Sequence, residues 1–179
     1  MTNVNFEDEQ VWSHLEDPKA YPHLAKFIEC LGICHTVIVE PKTVKGESVN
    51  FYNASSPDEL ALVNGMRHFG FSFAGRDDDD NIVIGRKNRS SLKYKLLHII
   101  EFNSDRKRMS VIVRTEDGQI LLVCKGADSI INARLAPDQE FVAETNKNLD
   151  SFAEQGMRTL LIAYKYINES FYTEWVKRF

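Results

Sequence analysis

The sequence predicts an α/β fold of the α+β type, in which helices flank a mainly antiparallel, twisted sheet of about six to seven strands. Two observations support this. Short runs rich in β-branched and aromatic residues are joined by turns as brief as Glu116-Asp117-Gly118, and such turns connect antiparallel strands, whereas parallel strands need long crossovers. Apolar stripes with helical spacing lie before, between and after these runs. A Rossmann-type parallel sheet is therefore disfavoured.

The N-terminal part of the chain is predicted to contain one helix and one hairpin. Residues 1–19 lack periodicity and are predicted to be an irregular lead-in. A helical stripe follows and is closed by Gly32, with Leu24, Phe27, Ile28 and Leu31 as its apolar members. Residues 36–39 and 49–53 are typical of short strands, and the polar segment 41–48 between them predicts a hairpin connection.

A second helix is predicted to begin after Ser56. This serine stands at the N-cap, Pro57 at the first helical position and Glu59 at the third, which together form a capping box with the favoured proline position. Apolar residues recur at helical spacing up to Gly70, a C-terminal stop. Capping alone accounts for Glu59, so a functional role for this carboxylate needs support from elsewhere.

An antiparallel meander is predicted after this helix. Its strands are the β-rich runs at residues 71–74, 81–85, 94–102, 109–114 and 120–124. Helical patterns return at 128–135 and in a longer segment ended by Gly156. A last strand is predicted over 158–167, and the aromatic stripe from Phe171 to Phe179 predicts a closing helix.

Composition limits the function classes. With 179 residues and 43% hydrophobic content, the chain can bury one substantial core, so residues 1–179 are expected to form one domain. A net charge of -4 argues against a general nucleic-acid binder. Three cysteines, an odd number, favour a reducing compartment over a disulfide-stapled fold. No apolar run approaches the roughly 20 residues that span a bilayer, and the N-terminus is not signal-like.

No metal site is predicted. The acidic run at residues 77–80 lacks the glycine and distal glutamate spacing of an EF-hand, so a solvated hairpin loop is the preferred interpretation. Cys30, Cys34 and His35 lack a fourth ligand at suitable spacing for zinc. The two cysteines are expected to straddle a helix end as core thiols.

Three residues are candidates for an ATP site without a glycine-rich phosphate loop, which needs an apolar or aromatic slot and nearby cations. Phe102 ends an apolar run before a polar turn, although core packing explains it equally well. Lys125 closes a β-rich run before Gly126, where its stem can lie among apolar residues while its ammonium faces a cleft. Arg158 follows Gly156 at a corner, and its guanidinium suits phosphate or ribose oxygens.

The motifs occur in a specific order. Ser56-Pro57-Asp58-Glu59 is followed by Glu101-Phe102, by the segment 106–111 (RKRMSV), by Lys125-Gly126-Ala127-Asp128 and by Gly156 with Arg158-Thr159-Leu160. From about residue 31 to 179 this order closely resembles the nucleotide-binding (N) domain of P-type ATPases. The serine-proline-aspartate-glutamate motif and Cys34-His35-Thr36-Val37 resemble the type-four branch, the phospholipid-transporting flippases. One departure is Met157, where leucine is usual; the change conserves volume.

The resemblance implies an N-domain-like fold and a set of site residues. Phe102 would stack on adenine, Glu59 would bond near the adenine, Lys125 would line the pocket and Arg158 would contact the phosphate side. The other nucleotide-binding positions implied by these motifs are Ser104, Met109, Gly126 and Thr159.

The resemblance also implies what lies elsewhere. The family's phosphorylation, dephosphorylation and metal-binding loops are absent from this sequence, so no catalytic residue is assigned here. The chain is expected to be a cytosolic domain of an integral membrane protein that binds ATP, with Mg²⁺ ligated mainly by the phosphorylation domain. Residues 1–19 would lead in from that domain. The implied partners are the phosphorylation and actuator domains, a phospholipid substrate and an accessory subunit, with no nucleic acid.

Two alternatives come from other classes. The same fold could serve as an interaction or regulatory module that does not bind nucleotide, but the presence of Phe102, Lys125 and Arg158 argues against this. A self-sufficient ATP hydrolase would need a general base and a metal site, and these residues do not supply them.

Overall fold

The structure is a computed structural model that describes residue 4, residues 7–44 and residues 46–179. In chain order its elements are α1 (Glu9–Glu16), α2 (Pro22–Ile33), β1 (Ile38–Val44), β2 (Glu47–Asn53), α3 (Pro57–His68), β3 (Phe71–Arg76), β4 (Asn81–Arg86), β5 (Arg89–Ile100), β6 (Arg108–Thr115), β7 (Ile120–Gly126), α4 (Asp128–Asn132), α5 (Val142–Glu154), β8 (Leu161–Ile167) and α6 (Glu169–Val176).

Strands β3 to β8 form one antiparallel sheet in the order β3-β4-β5-β6-β7-β8, so sequence neighbours are also spatial neighbours. This confirms the predicted α/β fold and its meander. Strands β1 and β2 pair with each other as a separate two-stranded sheet. The predicted hairpin is therefore present and longer than expected, although residue 45 of its connection lies outside the described residues.

The hydrophobic core lies between the large sheet and helices α2 and α3. Val63 and Met66 of α3 are fully buried, as are Ile33 of α2 and the inward-facing Val111 and Leu121 of the sheet. Strands β6 and β7 are the most buried of the sheet, and each has a paired strand on both sides. This packing holds the first turn of α3 against the ends of β6 and β7.

Two expectations for the N-terminal part are corrected. Residues 1–19 are not wholly irregular, because α1 forms where Asp8 caps the amides of Gln10 and Val11; residues 1–3, 5 and 6 lie outside the described residues. Gly32 does not end α2 but lies inside it. A Cβ there would come within 2.5 Å of Ile84, so glycine allows the helix to pack closely on the sheet.

Other boundaries follow local chemistry. Ser56 accepts a hydrogen bond from the Glu59 amide, and Gly70 follows α3 with φ +83°, as the N-cap serine and the glycine stop predicted. The predicted capping box is only half formed, because the Glu59 carboxylate binds Thr36 and Lys125 rather than the Ser56 amide. Gly156 likewise follows α5 with φ +76°. In contrast, β5 ends at Ile100 rather than at residue 102, and β8 begins at Leu161 rather than at residue 158. Phe102 and Arg158 therefore lie in loops next to the sheet.

Among the described residues, no helix is both long and apolar enough to cross a membrane.

Candidate nucleotide-binding site

A cleft with a volume of about 490 Å³ opens where β5 and β7 end and β6 begins. The first turn of α3 forms one wall, and the connection between α2 and β1 closes the bottom. The lining residues are Thr36, Ser55, Ser56, Asp58, Glu59, Leu62, Glu101, Phe102, Met109, Lys125, Gly126 and Leu160. Five of the eight residues that the sequence nominated for nucleotide binding therefore meet in one cleft.

A buried ion pair lies at the bottom of the cleft. The Lys125 Nζ atom is 2.6 Å from Glu59 Oε1, and both side chains are about nine-tenths buried. Thr36 contacts the other carboxylate oxygen, donating from its backbone N–H at 3.1 Å and from its hydroxyl at 2.7 Å. Glu59 is thus held by β7 on one side and by the α2–β1 connection on the other.

These contacts keep the carboxylate ionised. Burial raises the pKa of Glu59, but the hydrogen bonds from Lys125 and Thr36 outweigh burial and hold this pKa below its ordinary value. A buried charge without such partners would be strongly disfavoured. The bottom of the cleft therefore presents a fixed anion beside a fixed cation.

The pair still has hydrogen-bonding capacity. A carboxylate has about four acceptor positions and an ammonium has three donors. Glu59 accepts three hydrogen bonds and Lys125 donates one to it. Both an acceptor and a donor consequently remain for a polar ligand that enters the cleft.

Phe102 stands at the edge of the cleft with 61% of its surface exposed. The loop that carries it is tied down by Arg106, whose guanidinium donates to the carbonyl of Glu101 at 2.8 Å. Asn103 caps the same turn by accepting from the Arg106 amide. An aromatic ring held in place yet exposed offers one face for stacking against a planar ligand.

Arg158 contacts the first turn of α3 from outside the cleft lining. Its guanidinium Nη2 is 2.7 Å from Asp58 Oδ1, and Asp58 lines the cleft. Arg158 itself is not among the lining residues and its side chain is 76% exposed. The arginine is therefore tethered next to the cleft by a contact that water can compete for.

Met109 and Gly126 shape the wall between these groups. They lie on neighbouring strands, where Met109 pairs with Lys125 and Gly126 with Arg108, and both are buried. A Cβ on Gly126 would come within 2.5 Å of the Lys107 carbonyl oxygen. Glycine is required here because the backbones of the strand and of the preceding turn approach so closely.

The structure does not bring Ser104 and Thr159 into the lining of the cleft. Ser104 lies in the exposed turn after Phe102, and Thr159 lies between Arg158 and the lining residue Leu160. Seven lining residues were not among the nominated positions, namely Thr36, Ser55, Ser56, Asp58, Leu62, Glu101 and Leu160. Thr36 stands in the Cys34-His35-Thr36-Val37 segment that pointed to the family, and this was the available signal.

No cluster of three or more potential metal ligands occurs within the described part of the chain. Asp77 instead accepts hydrogen bonds from Asn81 and an ion pair from Lys93, which closes the β3–β4 turn. Cys30 and Cys34 are buried thiols, and burial raises the pKa of each to about 12. The expectation of core thiols at a helix end is confirmed, since Cys34 is the C-cap of α2.

The fold and the motif order define the class of protein. The large sheet is an antiparallel meander flanked by helices, and the serine-proline-aspartate-glutamate turn contacts Lys125 at the bottom of the cleft through Glu59. The model of the family described as P-type ATPase, cytoplasmic domain N matches residues 23–178. The chain belongs to this family.

Relatives from animals and plants carry phospholipid-transporting names. The chain is 45% identical over 158 residues to mouse "Phospholipid-transporting ATPase ID", which covers 88% of this chain and 13% of that protein. It is 42% identical over 184 residues to "Phospholipid-transporting ATPase 10" of Arabidopsis thaliana, covering 98% and 15% respectively. It is 44% identical over 158 residues to human "Phospholipid-transporting ATPase IC", which covers 88% of this chain and 12% of that protein. The chain thus spans a small fraction of these relatives' length.

Proposed function

We propose that this chain is the ATP-binding domain of a phospholipid-transporting P-type ATPase, and that residues 1–179 form one cytosolic domain. It binds ATP in the cleft and presents the γ-phosphate to an aspartate on a separate phosphorylation domain. Family membership, the names of the relatives and the chemistry of the cleft support the proposal. The observation that carries it is the buried Lys125–Glu59 pair beside an exposed Phe102.

The base end of ATP suits the bottom of the cleft. The edge of adenine carries an amino donor next to ring-nitrogen acceptors, which matches the remaining acceptor on Glu59 and donor on Lys125. Phe102 would cover one face of the ring, and Met109 would supply an apolar contact. A planar ligand of this kind would be held by stacking and by two polar contacts.

The phosphate end suits the side where Arg158 lies. The Arg158–Asp58 contact is exposed, so it costs little to exchange the carboxylate for a phosphate oxygen. Arginine's planar fork binds such oxygens well. We place Thr159 with Arg158 on the phosphate side and Ser104 on the ribose side of Phe102.

Transfer would need parts outside this chain. Mg²⁺ would arrive with the nucleotide and be ligated mainly by the phosphorylation domain, with the actuator domain completing the cycle. The parent protein would lie in a membrane with a phospholipid substrate and possess an accessory subunit. The role of this domain is positioning, which contributes to phosphoryl transfer by holding the reacting groups in line.

Calorimetric titration of the chain with ATP tests the proposal. Phe102→Ala should cost about 1–3 kcal/mol of binding free energy, in line with base stacking on aromatic side chains. Phe152→Ala is the matched control, because Phe152 is also exposed but lies on α5 outside the cleft lining. Equal affinities for wild type and Phe102→Ala would contradict the stacking assignment. No heat at millimolar ATP would favour an interaction module.

A further inference from the structure

Thr36 makes contacts that the sequence motifs did not anticipate. Its backbone N–H and its hydroxyl both donate to the same oxygen of Glu59, Oε2, while Lys125 contacts Oε1. Thr36 is only partly buried and lines the cleft. Because Thr36 holds Oε2 while Lys125 holds Oε1, the two residues together fix both the position and the rotation of the carboxylate.

His35 holds Thr36 in the orientation that this clamp needs. The His35 Nδ1 atom accepts a hydrogen bond from the Val37 amide at 3.1 Å, so Nε2 carries the proton and donates to the Gly32 carbonyl at 3.1 Å. The ring also packs edge-on against Phe73 with centroids 4.5 Å apart. The peptides on both sides of Thr36 are therefore fixed.

The protonation state of His35 agrees with this arrangement. The pKa of His35 is lowered to about 4, mainly by burial. The Lys125 charge also lowers this pKa, by more than the Glu59 charge raises it. The ring is neutral at neutral pH, as an accepting Nδ1 requires. The buried histidine is thus a structural bridge between α2 and β1 rather than a proton donor for the cleft.

The clamp has a consequence for ligand choice. With Oε1 and Oε2 both fixed, the remaining acceptor positions of Glu59 cannot rotate away from the ligand. A purine with an amino group at position 6 can donate to them from that position. A 6-oxo purine carries its donor on N1 instead and would place its 6-oxygen against the carboxylate. Lys125 could bind a 6-oxo group, but only if the pair were able to rearrange.

We infer that Thr36, held by His35, is a positioning residue that fixes the Glu59 carboxylate so that the cleft prefers 6-amino over 6-oxo purine nucleotides. The inference deepens the proposed ATP-binding function and rests on it. Its observable consequence is a ratio of two affinities, which separates it from a purely structural role. Loss of packing alone would weaken the binding of both nucleotides by the same factor.

The experiment measures dissociation constants for ATP and ITP, which differ at position 6 of the base. We expect wild type to prefer ATP by tenfold or more, on the order expected when a wrong group faces a buried polar partner. Thr36→Val keeps the volume but removes the hydroxyl, and should bring the ATP-to-ITP preference down to about twofold. Thr36→Ser retains the hydroxyl and should therefore keep the wild-type preference for ATP over ITP.

Thr43→Val, an exposed threonine on β1 outside the cleft lining, should leave both affinities unchanged. If Thr36→Val does not fold, Thr36→Ala makes the same deletion with less bulk. A Thr36→Val protein that keeps the wild-type preference, or loses both nucleotides equally, overturns the inference alone. Wild type that binds ATP and ITP equally also overturns it, whereas no ATP binding at all overturns the proposed function.

Discussion

The first turn of α3 makes two ion pairs that have almost the same length and very different surroundings. Glu59 meets Lys125 at 2.6 Å, with both side chains about nine-tenths buried. One residue earlier, Asp58 meets Arg158 at 2.7 Å, with side chains 40% and 76% exposed. The first pair is the bottom of the cleft, and the second lies next to its rim.

Surroundings rather than distance determine what each pair can do. In the buried pair, removal of one partner leaves a charge without compensation in a poorly solvated place, so the pair is permanent. In the exposed pair, water and salt compete with the contact, and its net contribution to stability is small. We therefore expect the fixed Glu59–Lys125 pair to contact the base of a nucleotide. In the exchangeable pair, Arg158 can leave Asp58 and bind a phosphate oxygen instead.

The largest effect on stability is expected at the buried Glu59–Lys125 pair. Lys125→Met should lower the free energy of unfolding by about 3 kcal/mol, because Glu59 is left buried without its cation. A domain of ordinary stability tolerates this loss and stays folded. Urea unfolding followed by circular dichroism measures the change, and calorimetry should show weakened ATP binding in the folded variant.

A second substitution tests the reason for that loss. Adding Glu59→Gln to Lys125→Met removes the stranded charge, so the double variant should regain part of the lost stability. ATP binding should stay weak, because both polar partners of the base are changed. If the double variant is less stable than Lys125→Met by the full cost of Glu59→Gln alone, the two residues do not interact and the account of the buried pair is wrong.

The next largest loss of stability is expected at Gly126, where the backbone of β7 lies close to the turn before β6. Gly126→Ala places a Cβ against the Lys107 carbonyl, so the strand must shift, at a cost of about 1–3 kcal/mol. Gly65→Ala is the matched control. Gly65 lies inside α3 with open space where its Cβ would be, so alanine there should stabilise by about 0.5–1 kcal/mol. Thermal unfolding compares the two, and a neutral Gly126→Ala would contradict the close approach.

The free energy of unfolding should also depend on pH, through the buried His35 side chain. The pKa of His35 is lowered by burial to about 4, from an unfolded value near 6.5. Between these values the unfolded chain binds more protons, so this residue's contribution to stability is complete above pH 6.5 and is lost as pH falls towards 4. Urea midpoints at a series of pH values should drop across this window. His35→Asn, which keeps an acceptor for the Val37 amide, should show a flatter profile; an unchanged slope would exclude His35 as the source.

The smallest effect on stability is expected at the exposed pair. Arg158→Ala should change the free energy of unfolding by less than about 0.5 kcal/mol, because the contact is open to water. Its effect on ligands should be selective: weaker ATP binding at low salt, with adenosine binding unchanged. Titrations with both ligands decide this, and an equal loss for adenosine would place Arg158 at the base rather than at the phosphates.

The sequence predicted what depends on local signals. The meander followed from short turns, and the start of α3 followed from the Ser56 capping box, because turns and caps are made by residues close in the chain. The missed helix α1 is short, and its signal is the single cap Asp8. The separate pairing of β1 with β2, away from the large sheet, depends on tertiary packing that no local pattern records.

The site was predicted as a set of residues but not as a geometry. Motif order nominated Glu59 and Lys125, yet these residues are 66 positions apart, and nothing local shows that they form a buried pair. The same holds for Arg158 and Asp58, whose contact crosses from the β8 side to α3. Thr36 was missed as a site residue, since its role arises only when α2, β1 and α3 are packed together.

The most direct test of the central claim is a nuclear magnetic resonance titration of the isotopically labelled chain with adenosine and with ATP, each with and without magnesium. We expect saturable amide shifts at Glu59, Phe102 and Lys125 with both ligands, additional shifts at Arg158 with ATP alone, and little change when magnesium is added. The absence of shifts at these residues at millimolar ATP, or identical shifts at Arg158 with adenosine, would contradict the claim.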